Sequence, residues 1–391
     1  MIRLALSLIK FSFGEMEYEV LKNINQIIER DSKDTTYKFA LLRATIEVIQ
    51  EKSPHIVAKG DRVIMPVGLL VLKWLEYYYP IIEARLPQKS GDNLSTRTLT
   101  FRSQFEKLTD YYQNKGGYDV FYKDFIKCSY PSTLNTTIYY LCKSIRDTIT
   151  KQPMRYIGGS ISNNHYSIFK KVEGDQRLSK PNKLDVEFMI DRFGQFSIPK
   201  DYFSVFEYLG SFITGTHSIL INWAKFTVAK GDRSLSMNKV LPKILQSPLN
   251  ERDVSISSRI FDDYTQEIGP LYCVWSGKKI KDDRNIDHVL PFAVWRNNDL
   301  WNLLPSKKKV NGDKNDRIPD INLLNQSKDR IIDYWKYIYN QEPEIFTREL
   351  KVSLVNKELL DQKNWEIIAF DALKDKSRYL IETRGFEAFN L

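Results

Sequence analysis

Apolar residues recur at spacings of three and four through residues 15–30 and 36–50, where Phe39, Leu42, Ile46 and Ile49 share one face, so the pattern predicts two amphipathic helices. A hairpin is predicted next, with arms over residues 55–58 and 63–67 flanking Gly60 and Asp61, a pair suited to a tight turn. A third helix carries residues 69–79 and is expected to stop at Pro80, which lacks the backbone donor a helix needs. Trp74, Tyr77, Tyr78 and Tyr79 fall at helical spacing, where aromatics serve a core or stack on bases; Trp74 is assigned to the core. After a polar connector over residues 86–95, further helices are predicted over 101–112 and 134–148, which makes 1–150 a mainly helical domain.

The pattern then changes. Residues 157–170 and 184–198 alternate as strands do, the segment 174–183 between them is charged and turn-rich, and a helix over 202–226 closes a mixed α/β region of 151–250. Residues 229–252 are basic and rich in turn formers and serve as the preferred boundary. The hexamer of residues 57–62 recurs at 228–233, but the flanks differ and no repeat is inferred. Residues 255–391 form a third region, in which Ile331, Trp335 and Ile338 line one face of a helix over 327–339. The opening run 1–13 is cut by Lys10 and followed by no cleavage pattern, so a core strand or an over-called start is expected and not a signal peptide. Residues 67–75 are also apolar, but Lys73 cuts them well short of the ~20 residues of a membrane span.

Composition narrows the class. Hydrophobic residues at 42% and charged residues at 27% of 391 are ordinary for globular chains and exclude wholesale disorder. Lys and Arg number 58 against 49 Asp and Glu, a net charge of +9 that suits a polyanionic partner. Cys128, Cys142 and Cys273 are too few for a disulfide framework, which points to a reducing cytoplasm.

One segment carries chemistry: Tyr272-Cys273-Val274-Trp275-Ser276-Gly277-Lys278, then Asp287-His288-Val289-Leu290-Pro291, Trp301-Asn302-Leu303 and Asn311-Gly312-Asp313-Lys314. Phosphodiester hydrolysis needs a base to activate water and a hard cation to neutralise charge on the phosphate and leaving oxygen. Asp287 and Asn311 supply oxygen ligands suited to Mg2+ or Mn2+, and His288 titrates near neutrality. The spacing predicts a strand over 285–290, a loop over 292–301, a strand over 302–304 and a helix capped by Ser306 and running through Lys314. Adjacent strand residues point to opposite faces, so a bend or bulge is expected between Asp287 and His288 if both are to reach one phosphate. Lys307, Lys308 and Lys309 open the helix and are candidate phosphate contacts. Trp275, Trp295 and Trp301 are read as packing, and His55, His165 and His217 receive no role.

This segment resembles the HNH endonuclease family, in the HNN form found in the HNH domains of RNA-guided CRISPR nucleases; the resemblance rests on Asp287, His288, Pro291, Asn302, Asn311, Lys314 and Pro319. It implies a ββα-metal module in which His288 is the general base, Asp287 and Asn311 hold the metal, Asn302 braces the His288 loop and Lys314 aids phosphate contact. Many such modules carry paired Cys-x-x-Cys knuckles around zinc, but Ser276 stands where a partner for Cys273 would be, so no structural zinc is expected. The order of parts also resembles bacterial HNH endonucleases with a long helical N-terminal extension, in restriction or antiphage defence. The sequence therefore reads as an α+β chain: a mainly helical N-terminal region, a mixed middle region and a C-terminal ββα-metal nuclease module with a helical tail. The expected function is metal-dependent cleavage of DNA, with a homodimer or a defence-system partner protein as possible company and no membrane association. Two other readings stay open, a nucleic-acid-binding or scaffold protein with an inactive module and an RNA-cleaving effector.

Overall fold

The computed structural model describes residues 15–89, 99–158, 167–172, 178–215, 219–248, 251–356 and 363–391. The opening run 1–13, most of the expected strand 157–170, parts of the segments 86–95 and 174–183, and both His165 and His217 lie outside the described residues. The described residues are 62% helical with small sheets, an α+β fold. It divides into two units, one of Met1–Glu51 with Ile56–Pro248, the other of Lys52–His55 with Leu249–Leu391.

In the first unit, α1 (Glu15–Arg30) and α2 (Tyr37–Gln50) form where the apolar spacing places them. The hairpin forms from β1 (Val57–Lys59) and β2 (Arg62–Pro66), with Gly60 at φ +59° in its turn. Apolar residues on nearly every face make α3 (Val67–Glu83) a buried helix, and Trp74 is enclosed by the rings of Tyr37, Tyr78 and Phe101. This helix does not stop at Pro80. The proline leaves the Glu76 carbonyl without its intrahelical donor, the Tyr118 hydroxyl donates to that oxygen at 2.7 Å, and the helix continues to Glu83. Packed on α3 are α4 (Arg102–Tyr112), α5 (Gly117–Ile126), which carries Tyr118, and α6 (Asn135–Lys151).

The middle of the chain departs from the predicted pattern. After β3 (Lys170–Val172), residues 184–198 are not one strand but a helix, α7 (Val186–Arg192), followed by β4 (Gln195–Pro199). Asp185 starts the helix by accepting the Phe188 N–H at 2.7 Å, and Val186, Met189 and Ile190 are buried at helical spacing. Helix α7 meets α3 at Gly68, where a Cβ would lie 2.2 Å from the Met189 carbonyl oxygen. The strands form one antiparallel sheet of order β1-β2-β4-β3, with Met65 opposite Phe196. That pairing joins the chain on both sides of residue 150, so the segments 1–150 and 151–250 share one unit. The helix expected over 202–226 is two, α8 (Lys200–Thr214) and α9 (Ile219–Lys230), because Gly215 turns to an extended ψ of −165°. The expected boundary 229–252 contains α10 (Met237–Leu245), whose Val240 and Ile244 are buried, and the units divide after Pro248.

The second unit begins with α11 (Ser255–Glu267) and an antiparallel hairpin of β5 (Arg284–His288) and β6 (Leu303–Lys307), followed by α12 (Lys308–Lys314). Strand β7 (Ile318–Pro319) leads to α13 (Ile321–Gln341), α14 (Pro343–Ser353) and α15 (Trp365–Arg378), and β7 pairs in parallel with β8 (Ala388–Phe389). Ile331, Trp335 and Ile338 are buried as their spacing predicts, and Trp335 Nε1 donates to the Trp301 carbonyl at 2.8 Å, tying the tail to the hairpin. Among the described residues no helix is long and apolar enough to cross a membrane.

Tyr118→Phe deletes the donor to the Glu76 carbonyl and keeps the ring. It is expected to destabilise the first unit by about 1–3 kcal/mol, the cost of a buried unpaired acceptor. Urea denaturation checks this, and an unchanged midpoint would show that the carbonyl has another donor.

Candidate active site

Strands β5 and β6 pair without interruption from Arg284 opposite Lys307 to His288 opposite Leu303, so the bend expected between Asp287 and His288 is absent. Regular alternation instead sends the two side chains to different partners. Asp287, 3% exposed, accepts Trp275 Nε1–H on Oδ2 at 2.5 Å and the Lys314 ammonium on Oδ1 at 3.1 Å. His288 places Nε2 3.0 Å from Asn298 Oδ1 and meets the Phe292 ring edge to face. Burial holds the His288 pKa below the usual histidine value; the Asn298 hydrogen bond and the Asp287 charge oppose this, and the cations Arg252 and Lys314 reinforce it. That direction favours the neutral ring, the form able to accept a proton.

Ser306 does not cap the helix. It is a buried residue of β6 opposite Asn285, its Oγ is 3.5 Å from Cys273 Sγ, and the residue preceding α12 is Lys307. Helix α12 carries Asn311 and Lys314 one turn apart on one face. Lys314 is fully enclosed, and its Nζ donates to the His288 carbonyl at 2.6 Å as well as to Asp287. Burial lowers its pKa, and the Asp287 charge acts against that shift. The phosphate contact implied by the resemblance is therefore not what Lys314 makes; it is the buried counter-charge of Asp287, because two ions removed from water must satisfy each other. The Asn311 side chain is half-buried and makes no hydrogen bond among the described residues.

Asn302, completely buried, accepts Leu290 N–H at 2.8 Å and donates to the Leu290 carbonyl at 3.0 Å and the Asn297 carbonyl at 3.4 Å, which ties the end of β5 to the following loop. The lysines divide. Lys307 Nζ is held by Asp283 at 3.1 Å and the Lys279 carbonyl at 3.3 Å, whereas Lys308 and Lys309 are exposed. Trp275 packs as predicted but also binds Asp287, Trp301 donates to Asp299 and Ser353, and the Lys376 ammonium lies over the Trp295 ring. His55 Nε2 lies 2.7 Å from the Lys351 carbonyl oxygen. Sequence reasoning missed Asn298 and Arg252. The polar run Asn297-Asn298-Asp299 inside an otherwise apolar motif was the available signal for the first; Arg252 lies upstream of the motif and carried none.

Asp287 and Asn311 offer hard oxygen donors, and Asp287 has acceptor positions beyond the two taken by Trp275 and Lys314. Among the described residues no three His, Cys, Asp or Glu side chains converge. Two oxygen donors of this kind suit a divalent cation whose remaining positions are taken by waters or phosphate oxygens. The turn at Cys273 is closed by hydrogen bonds, with its N–H on the Lys278 carbonyl and the Gly277 N–H on its own carbonyl, both at 2.9 Å.

Residues 273–320 match the HNH endonuclease family and contain Asp287, His288, Asn298, Asn302, Asn311 and Lys314. No curated protein and no solved structure matches the chain. Residues 17–244, more than half of the 391, match the family described as a domain of unknown function, DUF8808. The chain belongs to that family and carries an HNH endonuclease module in its second unit.

Proposed function

We propose that the second unit hydrolyses phosphodiester bonds in DNA with Mg2+ or Mn2+ as cofactor. The observation that carries this reading is the placement of a buried imidazole, His288, beside the oxygen donor Asp287 at the end of β5, with Asn311 on α12 packed against that strand. His288 accepts the proton of the attacking water. Asp287 and Asn311 would hold the cation, which when bound would supply positive charge to offset that developing on the scissile phosphate and the leaving oxygen. Lys314 and Trp275 keep the Asp287 carboxylate in place, and Asn302 keeps the end of β5 against its loop. The exposed Lys308 and Lys309 contact flanking phosphates, in keeping with the net charge of +9. Lys307, paired with Asp283, contributes less.

DNA in preference to RNA, and a place in restriction or antiphage defence, rest on the resemblance to CRISPR HNH domains and to bacterial HNH endonucleases with helical extensions. A single module cuts one strand at a time, so duplex cleavage calls for a second copy or a second event. The DUF8808 unit then selects the target or receives the signal of a partner protein.

Cleavage of supercoiled plasmid and of single-stranded RNA, with and without Mg2+, tests the reading. His288→Ala should slow DNA cleavage by ~100- to 10,000-fold with binding nearly unchanged, as loss of a general base does. A wild-type rate would remove His288 from that role. Asp287→Asn and Asn311→Ala should both raise the Mg2+ concentration needed for half-maximal rate, Asp287→Asn more because it deletes a charged ligand. Metal titrations unchanged in both would exclude the pair as ligands. Elemental analysis should find less than one zinc per chain, and Cys273→Ser should fold and cut; stoichiometric zinc lost on that substitution would contradict the assigned cofactor set.

A further inference from the structure

The loop between β5 and β6 brings Asn298 to His288, and hydrogen-bond accounting around the Asn298 amide assigns the histidine tautomer. Two backbone groups fix that amide. The Asp253 N–H, which can only donate, lies 3.2 Å from Asn298 Oδ1, and the Glu251 carbonyl, which can only accept, receives Asn298 Nδ2 at 3.2 Å. The atom facing His288 Nε2 at 3.0 Å is therefore the amide oxygen, and an acceptor there requires that Nε2 carry the proton. In a neutral imidazole the other nitrogen, Nδ1, then holds the free lone pair. Nδ1 has no hydrogen-bond partner among the described residues.

The loop is built to hold this contact. Asp299 Oδ2 accepts from Asn297 Nδ2 at 2.6 Å, from Ser353 Oγ at 2.6 Å and from Trp301 Nε1 at 3.0 Å. Asn297 Oδ1 accepts the Asp299 N–H at 2.7 Å, and Glu349 Oε2 accepts the Leu300 N–H at 2.6 Å. Asn298 thus sits between two residues whose side chains are locked, and helix α14 anchors the loop through Glu349 and Ser353. None of these groups reaches toward a metal ligand; their common effect is to place one amide oxygen against one ring nitrogen.

We propose that Asn298 is a positioning residue for His288: it holds the Nε2–H tautomer and leaves Nδ1 as the nitrogen that takes the proton from water. This rests on the nuclease reading above and adds to it the atom that acts and the residue that selects that atom. The bond costs nothing at the moment of reaction, because the imidazolium formed by protonation at Nδ1 still donates Nε2–H to the same oxygen.

The test uses the full chain with 15N-labelled histidine, whose four imidazoles give few enough signals for assignment with His288→Ala. Long-range proton–nitrogen spectra should show His288 protonated at Nε2 in the wild-type chain, a mixture or the opposite tautomer in Asn298→Ala, and the wild-type tautomer in Asn298→Asp, which keeps the acceptor. In DNA cleavage, Asn298→Ala should lower kcat by about 10- to 100-fold with little change in KM, part of what a general base contributes, and Asn298→Asp should recover most of that loss. Urea midpoints control for folding. A wild-type His288 protonated at Nδ1 overturns the proposal. So does an Asn298→Ala chain of wild-type tautomer, or one whose tautomer shifts while kcat does not, or an Asn298→Asp chain that recovers neither. If neither the wild-type chain nor His288→Ala cuts DNA or RNA, the nuclease reading fails, while the spectra still decide the tautomer.

Discussion

Asp287 and Lys314 form a buried ion pair, and the C-terminal site is arranged around satisfying it. Lys314 divides its donors between Asp287 Oδ1 and the His288 carbonyl, while Trp275 covers Asp287 Oδ2. Three elements are bound together by this: the turn that carries Trp275, strand β5 and helix α12. Removing one partner of such a pair leaves a buried charge and costs about 3–5 kcal/mol, a large share of the ~5–15 kcal/mol by which domains are stable. The seat of α12, and with it the position of Asn311, is thus set by electrostatics as much as by apolar contact.

A second polar system lies in the loop between β5 and β6. Trp301 and Trp335 are buried, and Trp301 ties the loop of Asn297, Asn298 and Asp299 to that apolar pair by donating to Asp299. Burial pushes the Asp299 carboxyl above its usual pKa, and the hydrogen bonds of Ser353, Asn297 and Trp301 and the charge of Lys376 act against that shift. Asn302 joins this loop to the end of β5 through both its oxygen and its nitrogen. His288 and Asp287 therefore have separate supports, His288 from the loop and α14, Asp287 from Trp275 and α12.

The DUF8808 unit meets the same constraint with different residues. Around α3, the Arg43 guanidinium lies 4.0 Å from the Tyr77 ring centre, and the Tyr77 hydroxyl donates to Glu47 at 2.7 Å. Burial pushes the Glu76 carboxyl up to about 7; Lys73 opposes that shift, and the charges of Glu51 and Glu47 add to it. Pro80 adds a vacant carbonyl on this helix, which Tyr118 fills from α5.

The sequence by itself determined whatever depends on near neighbours along the chain. The spacing of Phe39, Leu42, Ile46 and Ile49 marked a buried helix face, and the turn at Gly60 placed the hairpin. The pairing of Asp287 with His288, and the three-residue step from Asn311 to Lys314, marked the chemistry, because backbone geometry converts such short intervals into fixed directions. Tertiary structure decided everything that depends on a partner from elsewhere. Pro80 shows that a donor is missing, but not that Tyr118 supplies it from 42 residues beyond Glu76. The alternation over 184–198 resembles a strand until Asp185 caps a helix whose apolar face packs on α3. A lysine at 314 serves as a phosphate contact if exposed and as a counter-ion if enclosed, and only the packing of α12 on β5 chooses between them. Asn298 lies ten residues from His288 with no periodic relation to it. A buried polar group must be satisfied by whatever folding brings to it, and no interval along the chain encodes that neighbour.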